Sequence, residues 1–316
     1  MSSIKIRQIS QRDPTTSPPD HHIGNPPTSF RNPWPSADRP SPSLTSMLSL
    51  KMGWGDNKHN FVPVPTDRSE LVQIRTPDFG IDKPHSLRAT WFGHASFLIE
   101  LPKQGGAERG VRILLDPVFA EQMGPMSRLG PKRFSPLPCS LEEVPDVDLV
   151  LISHSHYDHL DVDVVRQLHA SRGRNVHFLC GLNLKKWFVS CGISEEDVTE
   201  LDWWDEIEVD VEAVGSVMLA CTPAQHASAR TPTDRNHALW CSWVIRSTES
   251  NASEKRLFFA GKFTLFFPQK NPAHTNGHQA TLATAPSQKK ISTKTNPPFP
   301  TAQPSQESES NMDHLI

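Results

Sequence analysis

His154-Ser155-His156-Tyr157-Asp158-His159 places four groups able to ligate a metal within six consecutive positions. His154 and His156 are two apart, so on an extended segment their side chains point the same way. The run follows Leu149-Val150-Leu151-Ile152, an apolar, branched stretch of strand length. It precedes Leu160, Val164, Val165 and Leu168, which recur at helical spacing and end at Arg172-Gly173. A strand end and a helix start therefore hold the donors in a preorganised turn. Imidazole together with carboxylate suits zinc, and also iron or manganese. The alternative is a hydrated histidine cluster on a surface loop, which the strand–turn–helix setting disfavours.

Further strands are expected on both sides of this segment. Ala89 to Glu100 reads as two strand pieces around Gly93, and Val111 to Leu115 ends at Asp116-Pro117. Val176 to Cys180, Ile207 to Val214, Val217 to Cys221, Leu239 to Arg246 and Arg256 to Ala260 continue the series, with a helix over Asn183 to Cys191. Many strands with a few interspersed helices predict an α/β (α+β) fold of sheets covered by helices. Just past the strand Val217 to Cys221 stands His226, so it is the candidate third histidine of the site. Three histidines plus an open position is the pattern of a catalytic zinc. His94 is expected to support the site or to pack, and Tyr157 to pack. His21, His22, His237, His274 and His278 lie in polar stretches and are expected to be solvated.

Composition bounds the rest. Among 316 residues only 36% are hydrophobic and 29 are proline, which predicts a folded centre with flanks that bury little. Three segments are expected: 1–45 mostly disordered, 46–261 folded, and 262–316 a low-complexity disordered tail. Within the first, Phe30 to Pro35 is either a local docking point or loose on the surface. The net charge of −3, with no Lys/Arg run longer than a pair, gives no support for a nucleic-acid partner. Five cysteines without a Cys-x-x-Cys pair fit a reducing compartment. No stretch approaches the ~20 apolar residues needed to span a bilayer. The expected location is cytoplasmic, with peripheral membrane contact through the apolar patch Ser46 to Trp54 as an option. Ser and Arg in the first 30 residues make a mitochondrial location the alternative.

The His154 to His159 run resembles the signature of the metallo-β-lactamase superfamily, and the finer match is to the N-acylphosphatidylethanolamine-hydrolysing phospholipase D family. The similar segments are Thr90-Trp91-Phe92-Gly93-His94-Ala95-Ser96, Leu115-Asp116-Pro117-Val118-Phe119, Gly130-Pro131-Lys132-Arg133, Leu201-Asp202-Trp203-Trp204, Pro223-Ala224-Gln225-His226, Leu239-Trp240-Cys241-Ser242-Trp243 and Phe258-Phe259-Ala260-Gly261. Phe30 to Pro35 is similar to the family's N-terminal region, so the resemblance runs from 30 to 261. It implies an αββα sandwich, two zinc ions and a phospholipid substrate at a membrane surface, cleaved to N-acylethanolamine and phosphatidic acid. It further implies that His154, His156 and His226 hold the first zinc and that Asp158 and His159 hold the second. Asp158 would also orient the attacking water. The Trp203-Trp204 pair and the segment ending at His226 favour a phospholipid. Another phosphodiester, a lactone or a thioester remains open within the fold.

The resemblance breaks at Lys262, where the family carries an Asp that bridges both metals; the family's last histidine ligand has no counterpart either. An ammonium group would repel two dications. One bound zinc, poor activity and a sandwich incomplete in its C-terminal half are therefore expected, or else a non-catalytic metal-binding product. Gly261-Lys262-Phe263 can be encoded around GTAAGT, a strong splice-donor sequence, so truncation or mis-splicing after Gly261 through a retained intron is one expected origin of the break, and a genuine shortened isoform or a diverged C-terminus is the alternative.

Overall fold

The structure is a computed structural model that describes residues 3–11, 13, 17–37, 65–67, 73–125, 130–171, 176–248 and 255–261. The chain divides into units Met1–Pro268 and Gln269–Ile316, and the second lies outside the described residues. So do the patch Ser46 to Trp54, Lys262, His274 and His278.

Two sheets make up the described fold. One has six strands in sequence order: β4 (Arg88–Gly93), β5 (Ser96–Glu100), β6 (Arg112–Leu115), β7 (Leu149–Leu151), β8 (His177–Gly181) and β9 (Val198–Leu201). Pairing is antiparallel through β4, β5 and β6 and parallel from β6 to β9. The parallel strands β7 and β8 are buried along their whole length, as both-face coverage requires. The other sheet has the order β1 (Ile4–Ser10), β10 (Glu206–Val211), β11 (Gly215–Thr222), β12 (Ser242–Ser247) and β13 (Arg256–Phe259), all antiparallel. A short hairpin, β2 (His22–Ile23) with β3 (Ser29–Phe30), stands apart from both.

Alternation along the strands builds the core between the sheets. Ile207, Val209 and Val211 point inward from β10 while Glu206, Glu208 and Asp210 point outward. They meet Ile99, Ile113, Leu115, Leu149 and Leu151 of the six-stranded sheet, with Trp243 filling the middle. A second core lies on the far face of the six-stranded sheet. There α1 (Val162–Ser171) lays Val164, Val165 and Leu168 on Val150, Ile152 and Phe178, and α2 (Lys185–Ser190) adds Phe188. The expected two-sheet sandwich is thus present, with helices on one outer face. Among the described residues no helix covers the outer face of the five-stranded sheet, whose side chains at Glu208, Met218 and Val244 are half-buried and whose Phe258 is exposed.

The N-terminal segment departs from the disorder expected of residues 1–45. β1 pairs with β10 over the whole of β10, and Ile4 and Ile6 pack on the core. Phe30 is buried, stacked near His21. Abundant Pro, Ser and Asn masked a seven-residue strand whose few apolar positions suffice to cap a sheet edge. His21 and His22 are likewise not solvated. Their Nε2 atoms lie 2.7 and 2.8 Å from the two oxygens of Asp202, so one carboxylate pairs both rings. β9 was not expected either: Thr199 and Glu200 hide a four-residue strand that, among the described residues, is an edge strand paired with β8.

Candidate metal centre

The site forms where β7 leaves the sheet. Ser153 lies two residues past the end of β7, and its backbone N–H donates to Asp116 Oδ1 at 2.6 Å, tying the end of β7 to the end of β6. From the facing sheet, the Cys241 N–H donates to the Ser153 carbonyl at 2.8 Å. Gly261 closes over the same point: a Cβ there would sit 2.5 Å from Ser153 Cβ, at a φ of +64°. Only glycine fits that approach.

Within this frame His154, His156 and His226 converge. His226 Nε2 lies 3.1 Å from His154 Nε2 and 3.3 Å from His156 Nδ1. Nitrogens bound tetrahedrally to zinc at 2.0–2.1 Å are separated by about 3.3–3.4 Å, so these gaps match the edges of such a coordination shell. Beside it, Asp158 Oδ2 is 3.5 Å from His159 Nε2 and 3.0 Å from His94 Nε2. His159 is 1% exposed, and its Nε2 is buried with no hydrogen-bond partner. A buried, orphaned ring nitrogen beside a carboxylate fits a cation. The residues present therefore suit a metal at both positions.

The groups behind the ligands set their tautomers. His159 Nδ1 lies 2.7 Å from Asp116 Oδ2 and His154 Nδ1 2.9 Å from Ser153 Oγ; the Ser153 hydroxyl in turn donates to Asp116. With Nδ1 as donor in each ring, Nε2 faces the site as the electron pair a metal needs. Burial, then the neighbouring rings of His159, His226 and His156, hold the His154 imidazolium well below its usual range despite Asp158. In His159 burial also opposes charge, but the charge and hydrogen bond of Asp116, aided by Asp158, outweigh it and raise the ring to about 9.

Three features not read from the sequence hold the loops in place. The Asn32 side chain pairs with the backbone of His226 from both sides, donating to its carbonyl at 2.7 Å and accepting from its N–H at 3.1 Å. The Trp240 indole donates to the Ala224 carbonyl at 2.8 Å. Arg230 donates to the carbonyls of Ser155 and Leu160 at 2.9 and 2.8 Å, its guanidinium 4.1 Å from the Tyr157 ring and 4.6 Å from that of Trp187. Tyr157 thus packs, as expected, and it packs on a cation. Of the Trp pair, Trp203 is structural, stacked between His21 and Trp34, and only Trp204 is exposed.

A cleft of about 580 Å³ opens onto His94, His156 and Asp158. Its walls include Trp91, Phe134 and Met123, and Lys132 adds a cation. Trp91 and Phe134 are 49% and 64% exposed.

The model of the Beta-lactamase superfamily domain matches residues 111–291. The chain belongs to the metallo-β-lactamase superfamily. The matched range continues past Gly261, where the segment-by-segment resemblance stops. An N-acyl-phosphatidylethanolamine-hydrolyzing phospholipase D 1 of Caenorhabditis elegans is 33% identical over 78% of this chain and 68% of its own length. The mitochondrial N-acyl-phosphatidylethanolamine-hydrolyzing phospholipase D of Saccharomyces cerevisiae is 33% identical over 43% of this chain and 28% of its own. An uncharacterized protein of Mycobacterium tuberculosis is 35% identical over 55% and 43%, respectively. The chain thus spans about two thirds of the nematode relative and less than half of the other two. Other relatives are metal-dependent hydrolases, one from Thermodesulfovibrio yellowstonii being 35% identical over 22% of this chain and 21% of its own length. Metal-dependent hydrolysis is the chemistry of this family.

Proposed function

We propose that this superfamily member is a zinc-dependent phosphodiesterase that hydrolyses N-acylphosphatidylethanolamine to N-acylethanolamine and phosphatidic acid. The observation that carries the reading is the cleft. It joins the ligand cluster to an apolar wall of Trp91 and Phe134 and to the cation of Lys132. A phospholipid offers the complementary parts, an acyl chain and a phosphodiester anion beside the bond to be broken. The names of the nematode and yeast relatives support the same substrate class.

His154, His156 and His226 would hold one zinc, and Asp158 with His159 a second. When bound, zinc acts as a Lewis acid and activates water near neutral pH. The protein's own groups do the rest. Asp158 orients the attacking water through its carboxylate, and Lys132 offsets the phosphate charge. Trp91 and Phe134 exclude bulk water from the acyl side of the cleft. Lys262 stands where the family carries its bridging Asp, so turnover is impaired in this chain. Access to substrate is by peripheral contact with a membrane surface, cytoplasmic or mitochondrial. Among the described residues no helix is long and apolar enough to cross a bilayer.

The test is hydrolysis of N-acylphosphatidylethanolamine vesicles by zinc-loaded protein, with both products quantified. Slow release of N-acylethanolamine with phosphatidic acid, abolished by His154→Ala, supports the reading. Metal-loaded protein that cleaves none of this lipid removes the substrate assignment.

A further inference from the structure

The second position, as implied by the resemblance, has two ligands from this chain, Asp158 and His159. The structure brings a third group to the same point. His94 Nε2 lies 3.0 Å from Asp158 Oδ2, and the donor atoms of His94, Asp158 and His159 all lie within 4.8 Å of one another. The rings of His94 and His159 meet edge to face at 5.0 Å between centroids.

The local backbone is shaped to deliver that nitrogen. His94 sits in the β4–β5 hairpin turn with a φ of +49°, directly after Gly93 at +99°. A left-handed non-glycine residue is an uncommon conformation that persists when its surroundings require it. Here the Trp91 indole donates to the His94 carbonyl at 3.0 Å, bracing the turn. The ring then borders two openings to solvent, the cleft lined by Asp158 and a smaller one lined by His159 and Gly261. An ion from solution can reach it.

A plain hydrogen bond to Asp158 accounts for the 3.0 Å distance but not for His159 Nε2. That atom is buried without a hydrogen-bond partner and stands 3.5 Å from the same carboxylate oxygen. One cation placed among the three would engage both ring nitrogens and the carboxylate together, with imidazole and carboxylate ligands of the kind zinc takes.

We infer that His94 is a ligand of the second zinc, forming with Asp158 and His159 a site of three protein donors among the described residues. The inference rests on the zinc-hydrolase reading above and concerns how this chain keeps its second ion.

The test counts zinc ions per chain in the full-length protein after zinc loading and desalting. It compares wild type, His94→Asn and His226→Ala, and adds a zinc-edge anomalous map of wild-type crystals. Asn tolerates positive φ but ends short of the position of Nε2, so His94→Asn removes ligation while keeping the turn. The expected result is two ions in wild type, one in His94→Asn with an unchanged melting temperature of the metal-free protein, and an anomalous peak bonded to His94 Nε2. His94→Asn retaining both ions, or a second peak beyond bonding reach of His94, overturns the inference. A single ion in wild type, at the His154–His156–His226 position, also overturns it and leaves the proposed activity standing. Wild type with no ion at all removes both. Should His94→Asn fail to fold, the wild-type map alone decides.

Discussion

Asp116 Oδ2 accepts from His159 Nδ1 at 2.7 Å, and neither side chain touches solvent. The same carboxylate binds the Ser153 backbone and hydroxyl, so one buried anion fixes two rings that face the metal positions. Asp116→Asn keeps the shape but removes the charge and lets the amide turn a donor toward His159. Zinc affinity should fall by about 10–100-fold, the usual cost of losing an outer carboxylate behind a ligating histidine. Competition with a chelator measures it, and unchanged affinity would show that Asp116 acts only as a structural tie.

Asn32 should prove to be part of the same centre despite lying 194 positions from His226. Asn32→Ala leaves the His226 backbone without its two side-chain partners, a loss of about 1–3 kcal/mol. A several-fold weaker first zinc is the expected consequence, with Asn32→Asp intermediate because it still accepts from the N–H. Equal zinc binding in wild type and Asn32→Ala would remove Asn32 from the site.

Arg230 holds the outside of the ligand loop. Arg230→Lys retains the charge but cannot reach both carbonyls while stacking between Tyr157 and Trp187. The expected outcome is a fall in stability of about 2 kcal/mol or more, from lost charged hydrogen bonds and cation–π contact. Chemical denaturation of the metal-free proteins reads this directly. A Lys variant as stable as wild type would mean the guanidinium geometry is dispensable.

His177 supplies a pH dependence away from the metal. It is buried at the start of β8, its Nε2 2.9 Å from Thr199 Oγ1, and burial lowers it to about 4 from 6.5, against a partial opposing pull from Asp197. A ring depressed in the folded state stays neutral there while the unfolded chain takes up a proton. Its contribution is therefore present above pH 6.5 and lost as pH falls from 6.5 toward 4, by about 3 kcal/mol at most. Denaturation of wild type and His177→Gln at pH 7.5 and pH 4.5 isolates the effect. The gap in stability between the two proteins should shrink by most of that amount at the lower pH, and a constant gap would sink the assignment.

What could be read from the sequence follows from periodicity and spacing. β7, α1 and β8 were legible because Leu149 to Ile152, the 3.6-residue spacing after Leu160, and Val176 to Cys180 are local patterns. His154, His156, Asp158 and His159 were legible because they are neighbours in sequence, while His226 needed the strand before it and His94 was assigned only a supporting role. His94 enters the cluster through a tertiary contact with Asp158, 64 positions away, which no local pattern encodes. Asn32 and Arg230 were missed for the same reason. They act on backbone groups of distant loops, and a carbonyl has no sequence signature. The His21–His22–Asp202 tie and β1 were hidden by polar neighbours that read as solvent-facing.

β1 is held by partners about two hundred positions downstream, as in the Arg7–Glu208 pair. A growing polypeptide leaving the ribosome therefore carries this strand unmatched until β10 has been synthesised, and the ligand loop cannot receive Asn32 before residue 226 emerges. Vectorial folding must proceed from the six-stranded sheet, with the first residues made among the last to dock.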